Sequence, residues 1–355
     1  MRKAIIAAML GLCASMTAQT ETSQYKPGVT EQGAVYFLPK TTIRISVLVE
    51  KTTYTPGEFC MYANKYLKQM DVVQKQTVKH KVLTMGLTSH GAADKAHAYS
   101  VKFNAKTSAS NVVLADDGTL LAINTEPYKQ EKPNTFTASP KPEPLNPRKF
   151  MSEEILSAAN KSKMAELTAL EIFEIRESKN LLTRGQADFM PQDGKQLQLM
   201  LDNLALQDKA LTQLFCGYET KDTTEHILYI TPDKDFKKQV LFRLSQQLGF
   251  VDKDDLSGTP YYIDITDLKS LPEPSPMPEQ KKNGAVEGIF VNVPGRVKAT
   301  IYHGNKPMGS FDLSAAQYGY TEFLSGELFN KRYTTKLVLS PITGAIMKLE
   351  AEMPK

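Results

Sequence analysis

A chain of 355 residues with 41% hydrophobic residues is long enough to bury a substantial core and to form two or three domains. The 43 Lys and Arg nearly balance the 39 Asp and Glu, and the formal net charge of +4 is not gathered into a basic stripe, which argues against nucleic acid and anionic membrane surfaces as partners. Three cysteines exclude a disulfide-built scaffold, and the lack of Trp removes the best stacking surface for a sugar face, although 15 Tyr remain.

Arg2 and Lys3, followed by the apolar run Ala4 to Ala14, form the n-region and h-region of a secretory signal peptide. The run is shorter than the roughly 20 apolar residues that cross a bilayer core, and the chain turns polar at Thr17, Gln19, Thr20 and Glu21. Cleavage after Ala18 removes residues 1–18, and the loss of Arg2 and Lys3 lowers the net charge from +4 to +2. Leu10, Gly11 and Leu12 ahead of Cys13 look like a lipobox, but Leu12 is too large for the position before a lipidated cysteine. An exported, soluble mature protein is expected over a lipid-anchored one. No later run is long and apolar enough to span a bilayer.

Two proline-rich linkers, 127–149 and 271–284, divide the rest into blocks 19–126, 150–270 and 285–355. In the first, Ile43, Ile45, Val47 and Val49 alternate along TTIRISVLVE, the pattern of a strand with one buried face. Pro56-Gly57 breaks that strand. A short helix is expected over Glu58 to Gln69, strands over Val78 to Leu87 and Tyr99 to Phe103, and a hairpin over Asn111 to Asn124 around Asp116-Asp117-Gly118.

The middle block opens with helices, Ser152 to Asn160 and Ser162 to Lys179, built from good helix formers without internal Gly or Pro. The wide apolar arc of Met164, Leu167, Leu170, Ile172, Phe173 and Ile175 predicts burial on more than one side. Asp193 with Gln196 predicts a capping-box start for a third helix. Strands follow at Glu225 to Ile230, Val240 to Leu244 and Tyr261 to Thr266.

The last block repeats the order of the first. IFVNVPGRVKATIY parallels YFLPKTTIRISVLV, a helix is expected over Ser314 to Ser325 as around Tyr62, and KRYTTKLVLSPITGAIMKLE parallels KTSASNVVLADDGTLLAIN. The fold expected is α+β: strand-rich N- and C-terminal modules, a duplication in one reading and convergence of hairpins in the other, around a central helical hairpin with further strands.

Chemistry-bearing residues are sparse. His90, Asp94 and His97 could supply metal ligands but lack a fourth, and read as a polar loop between strands. Asp252, Asp254 and Asp255 before Gly258 resemble a calcium loop, yet glycine comes one place late and Ile263 stands where a bidentate carboxylate is needed, so a strand-linking turn is expected. No GxSxG, GxGxxG or Walker loop occurs, and Ser23 to Lys26 matches SxxK without its partner motifs. Cys60 and Cys216 are either two buried thiols or one disulfide. The segment Ile175 to Gly194 gathers Arg176, Glu177, Arg184, Gln186 and Asp188 beside Phe189 and Met190. That composition suits a binding loop, or more simply a helix-to-helix connection held by an Arg–carboxylate pair. Neither a metal nor a cofactor is called for.

The strings VEKTTYTPGEFCMYANKYL (Val49 to Leu67), KMAELTALEIFEIRESKNLLTRGQADFMPQDG (Lys163 to Gly194) and LFNKRYTTKLVLSPITGA (Leu328 to Ala345) resemble the exported Bacteroidota family called domain of unknown function 4831. The resemblance implies a Gram-negative envelope, the periplasm before surface release, and brings no activity or catalytic residues. The expected function is non-catalytic: binding or scaffolding toward an envelope protein. An envelope hydrolase using Glu177, Asp188 or the aspartates around Asp254 is the alternative, and a Tyr-lined glycan-binding module the third.

Overall fold

The computed structural model describes residues 29–30, 33–101, 111–129, 136–138, 140, 145–271, 273–274, 288–329 and 334–352. Residues 1–28, where the signal peptide is expected, and large parts of both proline-rich linkers lie outside the described residues. The first block holds β1 (Val29–Thr30), β2 (Gly33–Thr55), α1 (Ala63–Leu67), β3 (Thr77–Val101), β4 (Val112–Leu114) and β5 (Leu120–Ile123). The middle block holds α2 (Glu153–Leu156), α3 (Lys161–Arg184), α4 (Gly194–Cys216), β6 (Tyr218–Ile230), β7 (Phe236–Ser245), β8 (Gly249–Val251) and β9 (Thr259–Asp267). The last holds β10 (Gly288–His303), β11 (Lys306–Ser325), β12 (Thr334–Leu339) and β13 (Ile346–Glu352). Strand dominates, helices are few, and the α+β class holds.

The blocks do not form separate units, because their strands share sheets. In one sheet β2 pairs with β3 along nearly its whole length and with β6 from Ile43 to Thr55. A second runs β11-β10-β9-β7-β8, and a third, β13-β12-β5-β4, joins a hairpin from each end of the chain. The alternation in β2 works as read: Ile43, Ile45, Val47 and Val49 are buried against Phe242, Ile263, Ile265, Val297, Ala299 and Ile301 of the second sheet. Tyr36 and Leu38, on the same strand, enter a different core with Ile289, Val291, Leu120, Ile123, Leu337 and Leu339. The buried positions switch from even to odd numbers at Pro39, which has no N–H for the ladder and marks a bulge. A bulge re-aims one strand from one core to the next.

The last block does the same. Between Val293 and Gly295 of β10 the register on β11 jumps from Tyr320 to Ala315, so 316–319 lie outside the ladder. Between Phe37 and Pro39 the register on β3 jumps from Ala98 to Ala93, leaving out 94–97. Both jumps fall at a proline, and in each case a hairpin turn closes on the strand that carries the proline: Phe37 N–H donates to Gly118 O at 2.9 Å and Asn292 N–H to Gly344 O at 3.1 Å.

Three local expectations need correction. Ser314 to Ser325 is strand, not helix: Tyr318, Tyr320, Thr321 and Phe323 suit a pleated surface, and Gly319 permits a close approach, since a Cβ there would lie 1.8 Å from Val293 O. His90 to Ala93 pair with β2 rather than forming a loop, and Gly91 admits Pro341 O, which a Cβ would meet at 1.9 Å. Helix α3 is buried on one side only, with Leu170 52% and Phe173 47% exposed.

A third core holds the helical hairpin. Ala165, Ala169, Ile172 and Ile175 of α3 pack with Leu211, Leu214 and Phe215 of α4 and with Phe59 and Ala63. The small residues on α3 let the helices approach closely. Asn160 Oδ1 caps α3 through Lys163 N–H, Gly185 ends it in the left-handed region, and Asp193 caps α4 through the N–H of Lys195.

Candidate functional site

The two bulges meet at a seam where the first core passes into the second, and the backbone groups they free are gathered by three side chains. Thr41 Oγ1 donates to Ile342 O at 3.2 Å and accepts from Ala316 N–H at 3.0 Å. Gln317 Oε1 accepts from Thr41 N–H, and its Nε2 donates to Thr41 O and Pro232 O at 2.8 and 2.9 Å. Asn292 Nδ2 donates to Pro39 O and Thr343 O at 3.1 and 2.9 Å. Each is a polar side chain standing in for a lost ladder bond.

A cavity of about 210 Å3 opens beside them, lined by Pro39, Lys40, Asp94, Tyr99, Asn292, Gln317, Tyr320 and Thr321 among others. Lys40 Nζ lies 3.8 Å from Asp94 Oδ1 and 4.0 Å from Asp233 Oδ1. The cavity is smaller than the roughly 300–1,000 Å3 of small-molecule sites. Its polar groups offer an ammonium, a carboxylate and phenols, with no His or Cys to make a nucleophile–base pair. On the neighbouring bulge the Tyr318 hydroxyl is buried without a hydrogen-bond partner among the described residues. Burial pushes it up to about 12, with Asp235, Asp267 and Asp233 adding to the rise, so it stays protonated.

The segment singled out in the sequence is dispersed. Arg176 faces α4, with Nε 3.0 Å from Asp208 Oδ1 and an Nη 3.2 Å from Thr212 Oγ1, which in turn donates to Asp208. Glu177, Arg184, Gln186 and Asp188 are exposed, and Phe189 is 87% exposed. Asp208 and Thr212, four residues apart on one face of α4, complete the network and were missed because nothing in the sequence says which helix Arg176 faces.

Cys60 and Cys216 are free thiols, partly buried. Burial pushes the Cys216 thiol up, which Arg176 only partly opposes, so it is a poor nucleophile. The Tyr54 hydroxyl lies 2.8 Å from Cys216 O and 2.9 Å from Val73 O and shares its single proton between them. His90 and Asp94 sit along β3, and the His97 side chain lies outside the described residues. Asp252, Asp254 and Asp255 form the turn joining β8 to β9, where Asp255 accepts from the Ser257 N–H and is held below the usual carboxylate range by it. Among the described residues no three His, Cys, Asp or Glu side chains gather as a metal site. Among the described residues, no helix is long and apolar enough to cross a membrane.

The family model for a domain of unknown function, DUF4831, matches residues 32–347. The chain belongs to the DUF4831 family. The match takes in the seam, the helical hairpin and strands of all three sheets, from β2 to the start of β13, so the matched unit spans all three blocks and not one of them. No curated protein and no solved structure matches the chain.

Proposed function

We propose that the protein is exported to the periplasm of a Bacteroidota envelope and acts there without catalysis, binding or scaffolding a protein partner. The observation that carries this reading is the outer face of α3. Its inner face is satisfied by the third core, yet Leu170 and Phe173, one turn apart on the opposite side, are about half exposed. Glu177 lies four residues beyond Phe173 and Arg184 seven beyond Glu177, on the same face, where they supply a polar rim. Phe189, in the connection from α3 to α4, is also exposed, as are Gln186 and Asp188 beside it in the chain. A hydrolase centred on Glu177 or Asp188 needs a deep pocket to shift their acidity, and their exposure favours binding instead.

Pull-down with crosslinking from native envelopes tests the reading. The wild type is expected to recover a reproducible partner that Leu170→Ser/Phe173→Ser loses while keeping its far-UV spectrum. No reproducible partner, or equal recovery by both, overturns it. Export is tested separately by N-terminal sequencing, which should begin at Gln19; an uncleaved cytoplasmic chain refutes it. The matched jumps at Pro39 and Pro294, each closed by a hairpin turn, support reading the two ends as a duplication.

A further inference from the structure

Strand β13 is an edge whose two faces differ sharply. Among the described residues it is hydrogen-bonded only to β12. Leu337 pairs with Leu349 and Val338 with Lys348, but Leu339 pairs with Ile346, so the register takes two residues of β13 for one of β12. That bulge brings Ile346 to the core side together with Leu349 and Ala351, with Met347 at the bulge itself. Lys348, Glu350 and Glu352 point to the other side. The core-side stripe is not covered: Ile346 is 37%, Met347 49% and Leu349 40% exposed.

Natural edges are guarded by charged side chains, by bulges, by proline or by charges turned inward, and β13 has a bulge and outward charges but no proline and no inward charge. Here the inward side is wholly apolar and the charges are outward, where Lys348 and Glu350 form an ion pair at 2.8 Å. The order of those charges is self-complementary. If β13 meets a second β13 antiparallel with Leu349 opposite Leu349, then Lys348 faces Glu350 of the other copy, and Glu350 faces Lys348. On the core side Met347 faces Ala351 and the two Leu349 side chains meet. An isologous contact sets each residue against its own mirror position, and the complementarity runs from Met347 to Ala351, while at the ends Ile346 faces Glu352.

We propose that β13 is a self-association strand: two copies of the chain pair antiparallel through β13, centred on Leu349, to make one continuous eight-stranded sheet from two four-stranded ones. This surface is separate from the outer face of α3, so the outcome for one does not decide the other.

Sedimentation equilibrium of the mature chain, from about 1 to 100 μM, tests it. The wild type is expected to approach twice the monomer mass. Lys348→Glu places Glu opposite Glu350 at both positions, and Glu350→Lys places Lys opposite Lys348; each alone is expected to be monomeric, with an unchanged far-UV spectrum. Mixed in equal amounts, they are complementary again and are expected to form a one-to-one dimer, which a merely unfolded variant could not do. A wild type that stays monomeric across the range overturns the proposal, as do single variants that dimerise like the wild type or a mixture that stays monomeric.

Discussion

Replacing Phe242 by Ala tests the packing of the first sheet against the second. Phe242 is 1% exposed and sits third in a row of five stacked rings, His226, Phe250, Phe242, Tyr261 and His303, with centroids 4.8 Å from Phe250 and 4.5 Å from Tyr261. The row crosses from β6 of the first sheet through β8, β7 and β9 to β10, so it ties two sheets together. Truncating a buried Phe costs about 3–5 kcal/mol when the void cannot collapse, and rings held on both sides leave little room to collapse. Against a total stability of about 5–15 kcal/mol this is a large fraction. Phe242→Leu keeps most of the apolar volume but loses two ring contacts worth about 0.5–1.5 kcal/mol each, so it should cost roughly 1–3 kcal/mol. Urea unfolding followed by far-UV circular dichroism and by tyrosine fluorescence reads both variants, provided the two signals give coincident transitions. A loss under about 1 kcal/mol for Phe242→Ala would refute the argument, because it would mean that the stack does not hold the sheets together.

Two other changes probe the seam and the stack. Asn292→Ala abandons two buried carbonyls, Pro39 O and Thr343 O, at about 1–3 kcal/mol each; a melting curve superimposable on the wild type's would count against the seam as a tertiary joint. His226 is held below its ordinary value of 6.5 by burial, so the folded state binds fewer protons there than the unfolded state. Its contribution is therefore complete above pH 6.5 and falls as pH drops from 6.5 toward the lowered folded value. His226→Phe keeps a ring against Phe250 and should flatten the decline in melting temperature between pH 7.5 and 5; an unchanged pH profile contradicts the assignment.

Several elements were legible because their cause is local. The β2 alternation, the Asp116-Asp117-Gly118 hairpin, the Asp193 cap and the turn at Asp252 to Gly258 depend on side-chain period and turn chemistry that a few residues carry themselves. Ser314 to Ser325 failed for the opposite reason. Ala315, Ala316 and Gln317 favour helix in isolation, but β10 pairs antiparallel with β11 on both sides of the bulge at 316–319, and that pairing overrides a weak intrinsic preference. The apolar arc of α3 misled because Leu170 and Phe173 are exposed, which apolar periodicity alone cannot distinguish from a second buried side.

The sequence by itself determined the strand and helix periods, the breaks at proline and glycine, and the parallel between the two ends of the chain, since each is written in neighbouring residues. Only the tertiary structure decided that the blocks interleave, that Pro39 and Pro294 are joints between two cores, and that Arg176 answers to Asp208. Those facts depend on contacts between residues tens to hundreds of positions apart, and a hydrophobic pattern specifies which face is buried but not what buries it.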